Sequence, residues 1–255
     1  MNFIDTHCHL YLEEFKADIA MAIKRAQQTG VRKFYLPAID SAVTNDMLKL
    51  ERIYEGLCFA MMGLHPCSVK ENYEQELSLV ESWLQKRKFA AIGEIGLDFY
   101  WDKMFIAQQY DAFKTQMQWA LHYNLPIVIH TRDAMQQTID AVKPFAQKGV
   151  RGIFHCFGDS YESAAQIIDM GFYLGIGGVL TYKKSGLDEV IKKIDLKHLV
   201  LETDAPYLTP VPFRGKRNES SYIKYVAEKL AEVKSFSLEE VAEITTANAE
   251  KIFGS

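Results

Sequence analysis

The chain of 255 residues is 48% hydrophobic and 24% charged, which supplies one large apolar core and excludes disordered, collagen-like and disulfide-scaffold architectures. With 29 Lys and Arg against 33 Asp and Glu, its formal charge of −4 excludes a globally cationic nucleic-acid coat, so phosphate contact has to come from a local basic patch. Cys8, Cys58, Cys67 and Cys156 form no CxxC pair and read as reduced thiols.

The chain opens Met1-Asn2-Phe3-Ile4-Asp5-Thr6 without a basic segment leading into an apolar one. No apolar run nears the ~18 residues of a membrane span, so the expectation is a cytoplasmic protein with no membrane partner. Eight short runs rich in β-branched and apolar residues follow in order: Phe3–Asp5, Lys33–Ile39, Cys58–Leu64, Ala90–Leu97, Pro126–His130, Gly152–Phe157, Phe172–Gly178 and Leu199–Thr203. Their starts lie 20 to 36 residues apart, and the intervening segments carry helical periodicity, as with Phe15, Ile19, Ala22, Ile23 and Ala26 on one face. Gly30 and Gly56 stand where helices would end. Pro144 is expected to kink or end the helix after the fifth strand. Ser237 with Glu240 is a capping box that opens a last helix reaching Phe253.

Eight strand–helix units fit a single (β/α)8 TIM barrel of the α/β class spanning 1–255 better than an open sheet. There is no GxGxxG and no P-loop. The glycines between Gly171 and Gly178 match neither phosphate motif, and close packing in a barrel strand accounts for them.

Polar residues cluster at the expected strand ends, where buried histidines and carboxylates need a reason. The two-residue period of a strand puts His7 and His9 on one face. Glu94 lies in the fourth strand, His130 ends the fifth, His155 lies in the sixth, and Glu202 and Asp204 end the eighth on one expected face. In a barrel all of these meet at the C-terminal mouth, and such a set repels itself unless cations sit within it. A binuclear divalent-metal centre supplies them. Mixed nitrogen and oxygen ligands suit Zn, Mn, Co or Fe, and the carboxylates also admit Mg.

On these motifs the chain resembles the TatD-family metal-dependent hydrolases of the amidohydrolase-like superfamily. The matching segments are Phe3–Leu10, Gly63-Leu64-His65-Pro66, Gly93–Asp98, Ile129-His130-Thr131-Arg132, His155-Cys156-Phe157, Glu202–Tyr207 and Arg214-Gly215-Lys216-Arg217-Asn218. Ser220 stands where the family commonly has proline, a departure expected to alter a loop and not the chemistry. The resemblance implies His7, His9, Glu94, His130, His155 and Asp204 as metal ligands, with Glu94 bridging two divalent ions, Mg2+ or Mn2+ in function with Zn2+ as an alternative. It also implies a deoxyribonuclease that removes nucleotides from 3′ ends.

On this reading Asp204 is both ligand and proton acceptor for the attacking water, and Glu202 orients a ligand or substrate. His65 either serves the leaving group or scissile phosphate, or simply packs before Pro66. The loops after strands five, seven and eight are basic, with Arg132, Lys183, Lys184, Arg214, Lys216 and Arg217. Aromatic residues accompany them: Phe99, Tyr100, Trp101, Phe157, Tyr182, Tyr207 and Phe213. Arg132, Arg214, Lys216, Arg217, Asn218 and Tyr207 are the expected substrate-binding residues, and single strands or strand ends the expected DNA partner. The chain is taken as a monomer by default. Hydrolysis of a small-molecule amide, lactone or phosphoester is the alternative, since this barrel type serves many reactions. A scaffold with a vestigial metal site is disfavoured by the completeness of the ligand set.

Overall fold

The computed structural model describes residues 1–254. All eight predicted strands are present and all pair in parallel: β1 (Phe3–Asp5), β2 (Val31–Leu36), β3 (Cys58–Ala60), β4 (Ile92–Asp98), β5 (Ile127–Arg132), β6 (Gly152–Phe154), β7 (Tyr173–Ile176) and β8 (Leu199–Leu201). Helices alternate with them: α1 (Ile19–Gln28), α2 (Ser41–Ile53), α3 (Tyr73–Lys86), α4 (Ile106–Tyr123), α5 (Met135–Ala146), α6 (Tyr161–Asp169) and α7 (Leu187–Lys192), with α8 (Ile223–Lys234) and α9 (Leu238–Phe253) after β8. Pairing runs β1-β2-β3 and β4 through β8. A parallel bridge between Met62 and Ile92 closes one seam. Thr6 N–H donating to Leu201 C=O at 3.1 Å, with the Cys8–Ala205 bridge, closes the other. The result is a (β/α)8 barrel.

Its interior is filled by one residue from, or flanking, each strand: Ile4, Tyr35, Met61, Ala91, Val128, Ile153, Tyr173 and Val200. Ala249, Ile252 and Phe253 of α9 join this layer, and Phe253 stacks on Tyr35 with ring centroids 3.8 Å apart. The last helix therefore seals one end of the barrel, and polar side chains collect at the other. A second, larger apolar layer lies between strands and helices; α1 contributes Ala22, Ile23 and Ala26 on its buried face. The Ser237–Glu240 capping box opens α9 as the sequence predicts, and Gly30, at φ 102°, follows the end of α1.

Five observed strands, β2, β3, β6, β7 and β8, end earlier than the sequence runs, whereas β4 and β5 extend to Asp98 and Arg132. Strand β3 stops at Ala60, β6 at Phe154 and β8 at Leu201. Beyond those points the chain leaves the ladder to form the mouth, with Cys156 at φ 48° and Asp204 at φ 56°. Pro144 does not end its helix, which continues to Ala146. No described helix is long and apolar enough to cross a membrane.

Candidate metal centre

Past β1 the chain stays extended, pinned by Cys8 N–H to Tyr35 C=O at 3.1 Å and His9 N–H to Ala205 C=O at 2.7 Å. This delivers the one-face placement expected for His7 and His9, whose Nε2 atoms lie 3.2 Å apart. The Tyr11 hydroxyl donates to Pro37 C=O at 2.5 Å and stands 3.0 Å from His9 Nδ1, so it accepts the Nδ1 proton. That tautomer leaves the lone pair on Nε2.

Glu94 lies at the centre of the wholly buried strand β4. Its Oε2 is 3.0 Å from His7 Nε2 and 3.5 Å from His9 Nε2. Its Oε1 faces the other way, 2.8 Å from His155 Nε2, 2.9 Å from His130 Nδ1 and 3.3 Å from His65 Nε2. Asp204 Oδ1 completes the first side at 3.6 Å from both His7 Nε2 and His9 Nε2. His7 and His155 stack between the halves, with ring centroids 3.8 Å apart. Ligand atoms of His7, His9 and Glu94 lie within 4.8 Å of one another, as do those of His7, His155 and Asp204, those of Glu94, His130 and His155, and those of His65, Cys67 and His130.

The electrostatics favour cations. Burial pushes the Glu94 carboxyl up, but the surrounding His155, His65 and His7 outweigh it and hold it well below the usual carboxylate range. Burial and His155 keep His7 neutral, with its pKa far below the ordinary value. His130 and His155 are drawn upward despite burial, His130 by Asp98 and Glu94, and His155 by Glu94 and Glu202. Burial lifts the Asp204 carboxyl to about 6. Divalent cations would compete with protons for these imidazole nitrogens. Convergent imidazole nitrogens on both sides of one buried carboxylate fit a divalent-metal site, with Glu94 able to serve both halves.

Two further carboxylates, Asp98 and Glu202, stand behind these histidines. Asp98 Oδ2 accepts from His130 Nε2 at 2.9 Å, and its Oδ1 accepts from the Tyr100 and Trp101 amides at 2.9 and 3.1 Å. Glu202, fully buried, accepts from Cys156 N–H at 2.6 Å and lies 3.5 Å from His155 Nδ1. Sequence alternation predicts Glu202 and Asp204 on one face. The left-handed Asp204 breaks that alternation, so Asp204 faces His7 and His9 while Glu202 backs His155. Asp98 and Tyr11 are the site residues the sequence reading missed. Both carried a signal, because Asp98 shares the even register of Glu94, and Tyr11 the odd register of His7 and His9.

His65 accepts Cys67 N–H on Nδ1 at 3.0 Å, so its own proton resides on Nε2 and points at Glu94. Burial keeps this imidazole below its ordinary pKa.

The expected substrate-binding residues divide. The Arg132 guanidinium lies 3.8 Å from the Tyr100 ring centroid, and that of Arg214 lies 4.0 Å from the Tyr182 centroid. Among the described residues neither has an ion-pair partner. Lys216 lies above the Phe213 ring, and Tyr207 is exposed beside His9, 6.2 Å between centroids. Arg217 and Asn218 are corrected. Arg217 is committed to Asp18 at 2.6 and 2.9 Å. Asn218 is fully buried, and its amide donates to Thr203 and Tyr207 carbonyls, both at 2.7 Å, so it positions the loop that carries Asp204 instead of meeting substrate. Phe157 is likewise buried in the core and unavailable for stacking.

Residues 4–254 match the model of the TatD-related DNase family. The chain belongs to this family. It is 40% identical over 250 residues to the uncharacterized metal-dependent hydrolase YabD of Bacillus subtilis, covering 98% of each chain. The crystal structure of YjjV, a TatD homologue from Escherichia coli K12, has a TM-score of 0.94 at 31% identity, covering 99% of this chain and 98% of that one. A phosphotriesterase homology protein from Escherichia coli shares the barrel at TM-score 0.75 and 16% identity, covering 99% and 98% of the two chains. This TatD-family protein is a metal-dependent hydrolase.

Proposed function

We propose that the protein hydrolyses phosphodiester bonds of DNA, removing nucleotides from 3′ ends, with two divalent ions at the centre. The observation that carries this reading is the rim, where two arginines without ion-pair partners, Arg132 and Arg214, are stacked on aromatic rings beside the metal ligands. Cations available to phosphate next to π-faces available to bases suit single strands or strand ends.

His7, His9, Asp204 and Glu94 would hold one ion, and Glu94, His130 and His155 the other. Divalent ions there supply the Lewis acidity that activates water and neutralises the phosphate. Asp204, whose Oδ1 stands 3.6 Å from both His7 Nε2 and His9 Nε2, takes up the proton of the attacking water. His65, a neutral imidazole with its proton on Nε2, can steady a phosphate oxygen through that N–H. Glu202 stands behind His155, 3.5 Å from its Nδ1, where its charge favours a proton on that nitrogen. Arg132, Arg214 and Lys216 neutralise phosphates of the bound strand, and Tyr207 lines the approach to His9.

The test is cleavage of 3′-labelled and 5′-labelled single-stranded DNA with Mg2+ or Mn2+, alongside EDTA, Glu94→Ala and Asp204→Asn controls, with metal content measured on the same protein. Stepwise shortening from the 3′ end, lost with EDTA and in both variants, is the expected result. Near-normal turnover by Asp204→Asn would refute the proton-acceptor role. Metal-loaded protein that leaves DNA intact would favour a small-molecule amide, lactone or phosphoester as substrate, and cleavage undiminished after Arg132→Glu and Arg214→Glu would refute the role given to the rim.

A further inference from the structure

The loop between β4 and α4 holds large apolar side chains out in water. Trp101 is 67% exposed, Met104 76% and Tyr100 49%. An indole left in solvent forgoes the burial that usually dominates its energetics, yet this loop is braced on several sides. Asp98 Oδ1 pins the Tyr100 and Trp101 amides, Phe99 N–H donates to Arg132 C=O at 2.9 Å, and Asp102 accepts from Met104 N–H at 2.9 Å and from Lys70 Nζ at 2.6 Å. Trp101 stands edge-on to Tyr100, 86° between planes, and the Arg132 guanidinium lies 3.8 Å from the Tyr100 centroid and 5.2 Å from that of Trp101. The Asp98 carboxylate that fixes this loop also holds His130. The aromatic surface and the metal ligand are thus tied to the two oxygens of one side chain.

We infer that Tyr100, Trp101 and Arg132 form a nucleobase-stacking subsite for an unpaired base next to the scissile nucleotide, held in register with the metal centre by Asp98. This rests on the DNA-hydrolase reading and deepens it. The occupant is an unpaired nucleobase because the surface pairs an exposed π-face with a guanidinium free to meet the adjoining phosphate. A neutral apolar protein patch would leave that cation uncompensated, and a duplex interior would hide its base faces within the stack. Asp98 here is a positioning residue, and Trp101 and Arg132 are the substrate contacts.

The experiment measures binding of a phosphorothioate-protected oligothymidylate to the Mg2+-loaded protein by fluorescence anisotropy, using a normal strand and one with abasic sites at its 3′ end. Trp101→Ala should weaken binding of the normal strand about tenfold, the scale of one lost base–aromatic stack. Trp101→Phe, which keeps a π-face, should restore most of it. The abasic strand should bind wild type about as weakly as the normal strand binds Trp101→Ala, and the variant should lose little more on it. Equal losses on both strands, or no loss in Trp101→Ala, would overturn the subsite even if DNA is cleaved. Base-dependent binding through Trp101 without cleavage would uphold the subsite and sink the nuclease reading. No binding of either strand to wild type would remove both.

Discussion

Replacing Asp98 with asparagine isolates what the carboxylate behind His130 contributes. Asp98 meets only donors: the Tyr100 and Trp101 amides on Oδ1, and His130 Nε2 at 2.9 Å with the Cys67 thiol at 3.4 Å on Oδ2. Burial raises this carboxyl, but the hydrogen bonds from His130, Trp101 and Tyr100 prevail and hold it well below the ordinary range. An asparagine of the same shape has one acceptor oxygen and one NH2, so one of the two donor sets must face a donor. Two backbone amides outweigh one imidazole, and the oxygen stays with the loop. The NH2 then faces His130 and favours the tautomer protonated on Nδ1, the nitrogen that points at Glu94 and would ligate the metal. A charge-assisted hydrogen bond contributes about 1.5–3 kcal/mol, and losing a carboxylate behind a metal-bound imidazole costs roughly 10- to 100-fold in metal affinity. Metal-stripped wild type and Asp98→Asn would be titrated with Mn2+ or Zn2+ against a chromophoric chelator, with thermal melts to confirm an intact fold. One binding step should weaken by that factor while a step assigned to His7 and His9 stays near the wild-type value. Unchanged affinity in both steps, in a folded variant, would refute the argument that Asp98 sets the His130 tautomer.

Gly175→Ala should be damaging far beyond its size. A Cβ there would overlap Glu202 Oε2, stand 2.8 Å from Glu202 Cδ and 3.0 Å from His155 Cα, and Glu202 is fully buried with nowhere to retreat. Overpacking of about 1–3 kcal/mol, with the hydrogen bond to Cys156 weakened, predicts a Tm roughly 5–10 °C lower and weaker metal binding; an unchanged melt would contradict it. Removing metal with EDTA should lower the Tm by about 10 °C relative to protein at saturating Mn2+, since a ligand near a thousandfold over its Kd stabilises by ~4 kcal/mol. Arg217→Ala should cost only about 0.5–1 kcal/mol in urea unfolding at neutral pH, because its pair with Asp18 is partly exposed. The hydrogen bonds from Arg217 lead in holding Asp18 down to about 2 from 3.8. The pair's contribution is therefore complete above pH 4 and fades as pH falls towards 2, so the wild-type advantage should shrink over that window.

The amino-acid sequence by itself determined the barrel and which histidines and carboxylates gather at its mouth. Eight apolar runs alternating with amphipathic segments leave few ways to bury every face, and histidines and carboxylates at strand ends have one shared destination in a closed parallel barrel. Even the alternation of His7 and His9 carried over, because hydrogen bonds to Tyr35 and Ala205 keep that stretch extended. Alternation failed at Glu202 and Asp204, where the chain has left the sheet and a left-handed residue turns the second carboxylate towards His7 and His9. Which charged groups stay available was also beyond local reading. Arg214 and Arg217 are equivalent as neighbours in a basic motif, yet Arg217 is claimed by Asp18, 199 residues away in sequence, while Arg214 rests on Tyr182. Asn218 reads as a substrate-binding residue and is instead a buried clasp between Thr203 and Tyr207. Periodicity reports which face of its own element a side chain occupies; its partners come from distant segments, and only the folded chain brings those within hydrogen-bonding range.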